Sequence, residues 1–143
     1  MLKVDVIENG TVVDHIKAGS GLKVFVMLGV AGGYSERAAL VMNVPSKRLG
    51  KKDIVKIEGK TVSEDAASMI ALLSPGASIN IIENSKVAKK YVVSVPERLR
   101  GAGTCPNPNC ITNREECVKE FTKEGERFRC HYCERLVGAQ ELV

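Results

Sequence analysis

Cys105-Pro106-Asn107-Pro108-Asn109-Cys110, followed beyond residues 111–129 by Cys130-His131-Tyr132-Cys133, decides how this 143-residue chain is organised. Each short loop offers two sulfurs, and two such grips separated by a hairpin-length insert are spaced for one zinc ion with Zn–S bonds of about 2.3 Å. Four thiolates close a tetrahedron and leave no position for substrate or water, so the site predicted at Cys105, Cys110, Cys130 and Cys133 builds structure and does not catalyse. Residues 118–121 and 127–129, with Gly125 between them, read as the arms of a β-hairpin inside the insert.

Other uses of the cysteines fit less well. Residues 1–10 carry acidic side chains and lack the apolar core of about ten residues that an export signal needs. A reducing, cytoplasmic setting is therefore expected, where five cysteines serve metal ligation better than disulfides. A redox Cys-x-x-Cys pair would open a helix after a strand, which this tail does not show. His131, inside its loop, is expected to point away from the metal, and Cys117, outside both pairs, reads as a small buried hydrophobe.

Composition sets the remaining bounds. The chain is 44% hydrophobic but only 4% aromatic and has no Trp, which predicts folded domains with aliphatic cores. Twenty-one Lys and Arg against 17 Asp and Glu give a net charge of +4, compatible with anionic partners without requiring them. The longest apolar run, 24–30, is interrupted by Gly29 and far shorter than the 18 or so residues of a membrane span, so no membrane partner is expected.

Upstream of the cysteines, residues 2–6 alternate apolar and polar, Asn9-Gly10 is a turn signal, and residues 11–16 resume β-type side chains, which together predict an opening hairpin. Ser20 precedes the apolar stretch 21–30, read as a helix ended by Gly32-Gly33, with a buried strand as the rival assignment. A β-prone run over 37–44 is expected to stop at Pro45, and 53–58 to form another strand. Ser63 before Glu64-Asp65 caps a helix whose apolar face is Ala66, Met69, Ile70 and Leu73 and which Pro75-Gly76 ends. Residues 78–83 and 87–95 flank a turn at Asn84-Ser85. The order ββ-α-ββ-α-ββ predicts an α+β fold: an antiparallel sheet with two helices on one face, followed by a small zinc-bound β domain. Residues 96–103 have linker composition and mark the boundary.

Polar side chains interrupt the apolar strands at Asp14-His15, Lys56, Asn80 and Lys89-Lys90. Taken singly each is an outward-facing strand residue; together they could line the sheet face the helices leave open, where lysines suit phosphates and an Asp suits ribose hydroxyls. No Gly-rich phosphate loop accompanies them. An alternative reading, a zinc-ribbon nucleic-acid-binding protein, rests on Phe121, Phe128 and Tyr132 among Lys119, Lys123, Arg127 and Arg129. Glu115, Glu116, Glu120, Glu124, Glu126 and Glu134 offset those cations, so a solvated mixed-charge face and no nucleic-acid partner are expected. A free-standing nucleotide-dependent enzyme would need a nucleophile–base pair or an open metal site, and the sequence offers neither.

In order along the chain, Gly10-Thr11-Val12-Val13-Asp14-His15-Ile16, Asn43-Val44-Pro45-Ser46, Gly50-Lys51-Lys52-Asp53-Ile54-Val55-Lys56-Ile57-Glu58, Leu73-Ser74-Pro75 with Asn80 beyond, Pro96-Glu97-Arg98 and the two cysteine loops resemble the regulatory chain of aspartate carbamoyltransferase. The resemblance runs nearly end to end. It implies a noncatalytic subunit of pyrimidine biosynthesis: residues 1–96 form an allosteric domain binding CTP or ATP, and 97–143 a zinc domain docking on the catalytic chain. By this resemblance Asp14, His15, Lys56 and Lys90 grip ribose and triphosphate. Ile7, Val12, Asn80, Ile82 and Val87 surround base and sugar, with backbone groups at Val6 and Ile7 reading the base edge and Asp5 near the same pocket. Asn107 and Asn109 fall where the family meets its catalytic partner, and family members self-associate as regulatory dimers that bridge two catalytic trimers. Ser85 stands where a bacterial member has tyrosine, Asp5 replaces glutamate, and the amino-terminal arm is a few residues shorter.

Overall fold

The computed structural model describes residues 7–30 and 32–143, which divide into two compact units between Val93 and Ser94. In the first unit the elements run β1 (Gly10–Lys17), α1 (Gly21–Met27), β2 (Ala38–Ser46), β3 (Gly50–Glu58), α2 (Glu64–Leu73), β4 (Ser78–Glu83) and β5 (Lys86–Val92). The five strands form one antiparallel sheet in the order β2-β3-β1-β4-β5.

Period-two alternation sorts the strand residues between two faces. Thr11, Val13, Val55, Ile57 and Ile79 are fully buried, as are Val24 of α1 and Ile70 and Ala71 of α2, so the aliphatic core lies between the sheet and the helices. The opposite face carries Val12, Lys56 and Asn80, all partly exposed.

Several sequence expectations are corrected. Residues 11–16 were expected to be the second arm of an opening hairpin, but both edges of β1 are taken: Gly10 pairs with Glu58 of β3 and with Ile82 of β4. The first arm, 2–6, lies outside the described residues. Gly10 is needed for a reason other than a turn, since a Cβ there would stand 2.1 Å from the Ile57 carbonyl oxygen. Strand β2 does not stop at Pro45, which pairs with Lys51; an edge strand has one side free of ladder bonds, so the missing N–H costs nothing there. Stretch 21–30 is a helix, not a strand, but it ends at Met27, and Leu22 and Val26 are exposed where the apolar run implied burial.

Helix α2 follows its sequence signals. Ser63 accepts the Ala66 N–H at 3.2 Å, and Glu64 and Asp65 occupy the first turn, where carboxylates complement the dipole. Between β4 and β5, Asn84 (φ 50°) and Ser85 (φ 64°) form the turn, both in the left-handed conformation that a tight two-residue hairpin loop requires.

One buried carboxylate ties the helical end of the sheet together. Asp53 has no exposed surface, and its oxygens accept the N–H groups of Gly19 (3.0 Å), Gly21 (2.9 Å) and Asn43 (2.9 Å). It thereby fixes the entry to α1 and the irregularity in β2 between Val41 and Val44. Gly21 is the matching constraint, because a Cβ there would lie 2.6 Å from the Asp53 Cβ.

In the second unit β6 (Arg98–Arg100), β7 (Glu120–Glu124), β8 (Arg127–Cys130) and β9 (Leu136–Gly138) form an antiparallel sheet in chain order. The expected hairpin is β7–β8, turning at Gly125 (φ 63°). Residues 98–100, read as linker, are instead a strand: Leu99 pairs with Phe121 and is buried. Cross-strand pairing places Leu99, Phe121, Phe128, Cys130 and Val137 on one face, and Leu142 is also fully buried. The core of this unit is small.

Replacing Asp53 with Ala orphans three amides at once, at about 1–3 kcal/mol for each buried group left unpaired. Asp53→Ala should therefore lower unfolding stability by at least about 3 kcal/mol, read as a reduced urea midpoint, whereas Lys51→Ala, at an exposed position near the start of β3, should change it by less than about 0.5 kcal/mol.

Candidate metal centre and sheet-face site

Cys105 and Cys110 bracket the loop before the 3-10 turn Ile111–Asn113, while Cys130 ends β8 and Cys133 follows it by three residues. Their four Sγ atoms all lie within 4.8 Å of one another. Cys105 Sγ is 3.6 Å from Cys133 Sγ, and Cys110 Sγ is 3.7 Å from Cys130 Sγ. Tetrahedral bonds of about 2.3 Å put sulfurs about 3.8 Å apart, so the donor set fits a metal of zinc's size. Disulfide bonding is excluded at these separations, and all five cysteines are free.

Donors in the chain converge on the sulfurs. Backbone N–H groups reach Cys105 from Asn107, Cys110 from Thr112, Cys130 from Tyr132 and Cys133, and Cys133 from Arg135. The Thr112 side chain adds to them, its Oγ1 lying 3.1 Å from Cys110 Sγ. Burial dominates at Cys105 and pushes its thiol up to about 12. At Cys133 burial also raises the pKa, but the Arg135 N–H and the Asn107 amide outweigh it and bring the thiol down to about 7.

His131 lies outside the cluster. Its Nε2 contacts the Thr122 hydroxyl and its Nδ1 is 3.3 Å from Glu120, so it faces away from the sulfurs as expected. Cys117 is half-buried rather than a core residue, and the Tyr132 hydroxyl donates to the carbonyl of its neighbour Val118 at 2.7 Å. Asn107 is buried and Asn109 exposed.

The helix-free face of the first unit gathers most of the polar insertions. Lys56 pairs with Val12, Val12 with Asn80 and Asn80 with Lys90, so Lys56, Val12, Asn80 and Lys90 form one row across four strands. Directly paired residues share a face, and Ile82 with its partner Val87 flanks the row on the same side. Asp14 is two residues along from Val12, opposite Ser78.

His15 reaches this face through a backbone irregularity. By alternation it should oppose Asp14, but the register of β1 against β3 shifts between Val13 and Ile16, and His15 takes φ 57°. Its Nδ1 then lies 3.0 Å from Ser78 Oγ, while its N–H donates to Asp14 Oδ1 at 2.6 Å. Ile7 is buried just before β1; Asp5 and Val6 lie outside the described residues. Ser85 belongs to the β4–β5 turn, its N–H donating to the Glu8 carbonyl at 2.9 Å.

Sequence reading missed two residues here. Lys52, with Nζ 3.0 Å from Asp14, holds that carboxylate in place, and Ser78 anchors His15. Continuing the period-two face of Ile54, Lys56 and Glu58 back by one step would have found Lys52. Burial raises the Asp14 pKa, but the Lys52 hydrogen bond and the His15 N–H outweigh it, leaving the group below its usual 3.8. A depressed carboxylate stabilises the fold above its unfolded pKa, and that contribution is lost as pH falls through the folded value. Asp14→Asn should therefore remove part of the acid destabilisation below pH 3.8, measured as a flatter stability profile against pH.

The metal grips and the small core of the second unit lead to a separate expectation, since a bound structural metal contributes folding free energy directly. Treating the loaded chain with a chelator should collapse the amide NMR dispersion of β6 to β9 while leaving that of β1 to β5 intact.

Comparison with known proteins covers both units. Residues 2–94 match the family described as aspartate carbamoyltransferase regulatory chain, allosteric domain, and residues 97–143 match the same chain's metal binding domain. Proteins named aspartate carbamoyltransferase regulatory chain are similar over nearly the full length. That of Pyrococcus horikoshii is 50% identical, covering 99% of this chain and 96% of the relative. That of Thermococcus gammatolerans is 46% identical with the same coverage, and that of Sulfolobus acidocaldarius is 44% identical over 99% of this chain and 89% of the relative. With four thiolates that close one metal site and both family regions present in order, the chain belongs to the aspartate carbamoyltransferase regulatory chain family, a regulatory and noncatalytic subunit.

Proposed function

We propose that the chain binds CTP or ATP on the helix-free face of an amino-terminal domain, residues 1–96, and docks on the catalytic chain through a zinc domain, residues 97–143. The observation that carries the nucleotide reading is the row Lys56–Val12–Asn80–Lys90 with Asp14 and His15 beside it. Lys56 and Lys90, with Lys52 adjacent, supply point charges for a triphosphate, and Asp14 and His15 offer acceptor and donor to ribose hydroxyls. Ile7, Val12, Ile82 and Val87 give apolar contact to base and sugar, Asn80 an amide, and Asp5, Val6 and Ile7 the approach to the base edge.

Zinc is the metal that a closed set of four thiolates favours, bound once per chain in a structural role. Its grips order the loop carrying exposed Asn109, which with Asn107 is assigned to contact with catalytic trimers. Self-association as regulatory dimers, a place in pyrimidine biosynthesis and a cytoplasmic location complete the reading; among the described residues no helix is long and apolar enough to cross a membrane. Regulation then works by linkage: a nucleotide with different affinities for two quaternary states shifts their equilibrium, and substrate reciprocally alters nucleotide affinity.

The nucleic-acid alternative rested on three aromatics, and Phe121 and Phe128 are buried in the small sheet, unable to stack on bases.

The test is reconstitution with a carbamoyltransferase catalytic trimer in the presence of zinc. Lys90→Ala should weaken CTP and ATP binding by about tenfold or more, equivalent to about 1.4 kcal/mol, with assembly unchanged. Cys110→Ser should abolish assembly. A chain that forms no complex with zinc present would sink the docking assignment, and an unaltered nucleotide isotherm for Lys90→Ala would remove that lysine from the site.

A further inference from the structure

Each cysteine grip is a short loop that has to hold two sulfurs at a set separation, and in both the backbone closes part of the ring. In the first, the Cys110 N–H donates to the Asn107 carbonyl at 3.0 Å. In the second, the Glu134 N–H donates to the Cys130 carbonyl at 2.9 Å and the Cys130 N–H to the Arg135 carbonyl at 3.0 Å. Two side chains outside the ligand set complete the closure. Asn113, at the end of the 3-10 turn Ile111–Asn113, donates its amide nitrogen to the Cys105 carbonyl at 2.9 Å and to the Asn107 carbonyl at 2.8 Å. Both partners are carbonyl oxygens, so the nitrogen of that amide has to face them. The first and middle residues of the grip are thereby tied to the turn that follows Cys110.

Arg129 and Glu134 are the residues immediately before and after the second grip. Arg129 Nη1 donates to the Glu134 carbonyl at 2.7 Å, so the guanidinium closes loop 130–133 from outside. Its direction is set by a two-point contact with Glu124 at the end of β7, Nε to Oε2 at 2.5 Å and Nη2 to Oε1 at 3.1 Å, which a planar fork can make and a lysine cannot. What Arg129 holds is a strained turn. Glu134 takes φ 60°, a left-handed conformation unfavourable for a residue with a Cβ, where the chain reverses from Cys133 into β9. Neither side chain touches a sulfur in these contacts; both act on the backbone that carries the sulfurs.

We propose that Asn113 and Arg129 are positioning residues of the metal centre, each locking the backbone of one grip so that its two sulfurs stand at metal-binding separation before the ion arrives. Ordering the loops in advance lowers the cost of binding, because conformational freedom already lost is not lost again on ligation. In the second grip the lock works through one residue: the guanidinium keeps Glu134 in a conformation that its own side chain disfavours. The inference rests on the zinc reading above.

Full-length wild type, Asn113→Asp, Asn113→Ala, Arg129→Ala, Glu134→Gly and the Arg129→Ala/Glu134→Gly double variant should be loaded with zinc or Co(II) and titrated against a chelator of known affinity. Arg127→Ala, an exposed position on the same strand, is the control for loss of one positive charge. Removing hydrogen bonds made directly to metal ligands lowers affinity by about 10- to 100-fold. Asn113→Asp, which turns a donor between two carbonyls into a carboxylate, should lose about tenfold. Asn113→Ala and Arg129→Ala, whose bonds lie one step further from the metal, should lose at least about threefold, with Arg127→Ala within about twofold of wild type. Rescue separates positioning of the grip from charge and from general destabilisation: glycine adopts φ 60° unaided, so in the Glu134→Gly background Arg129→Ala should cost less than about twofold. Asn113 or Arg129 variants that bind as tightly as Arg127→Ala would overturn the proposal. So would an Arg129→Ala deficit undiminished by Glu134→Gly, or a single variant that stays unfolded at every zinc concentration; folding restored by excess zinc supports it. Failure of the wild-type chain itself to bind zinc or Co(II) would instead defeat the zinc reading.

Discussion

Four cysteine sulfurs within 4.8 Å of one another are the constraint on which the second unit depends. As thiolates they repel, and as thiols they form no bonds strong enough to hold two loops together; a divalent cation resolves both problems. The rest of that unit is arranged around this demand. Cys130 lies on the face of the small sheet that also carries Phe121 and Phe128, so the sheet's core and the metal centre are one continuous buried region. A segment of this size buries too little apolar surface to be stable by packing alone, so the thiolate cluster does for it what a larger core does elsewhere.

The first unit is organised by a different constraint, the occupancy of both edges of β1. A central antiparallel strand has no freedom to slip, because a one-residue shift would exchange its buried and exposed faces on both sides. The departure from regularity within β1, near His15, is therefore informative. It brings His15 and Asp14 to the same sheet face, which alternation forbids, and Ser78 and Lys52 hold the pair there. Backbone strain of this kind concentrates where a site requires a side chain that regular geometry would misplace.

These two constraints explain what could be read from the sequence. The cysteine grips were legible because metal ligation fixes residue type and spacing together, and α2 was legible because its cap, acidic first turn and terminating Pro75-Gly76 act locally. Strand partners were not legible. Asn9-Gly10 has the composition of a hairpin turn, but Gly10 answers to the close approach of the Ile57 carbonyl, a contact 47 residues away in sequence. Residues 98–100 look like a linker because Arg98 and Arg100 point outward from an edge strand and only Leu99 is buried. Asp53 reads as one more polar strand residue until its three amide partners, from two other segments, are seen. The bulge that unites Asp14 with His15 likewise leaves no local signature. On the sheet face, residue type pointed to phosphate and ribose chemistry, while cross-strand register, a non-local property, was needed to put Lys56, Asn80 and Lys90 in one row.

On the proposed reading, the composition of that row also divides the labour between affinity and selectivity. Lysine ammonium groups are point charges on flexible stems and attract any triphosphate in much the same way. A ligand held equally in two quaternary states shifts nothing, however tightly it binds. Lys52, Lys56 and Lys90 therefore set how strongly a nucleotide is held, and they do not by themselves distinguish a pyrimidine from a purine. Discrimination has to arise where the bases differ, at Ile82, Val87 and the chain around Ile7. There a larger ring demands more room beside the β4–β5 turn, whose Ser85 is hydrogen-bonded back to Glu8. On that reading, opposite responses to two nucleotides require no second site, only bases that contact this turn differently in the two quaternary states.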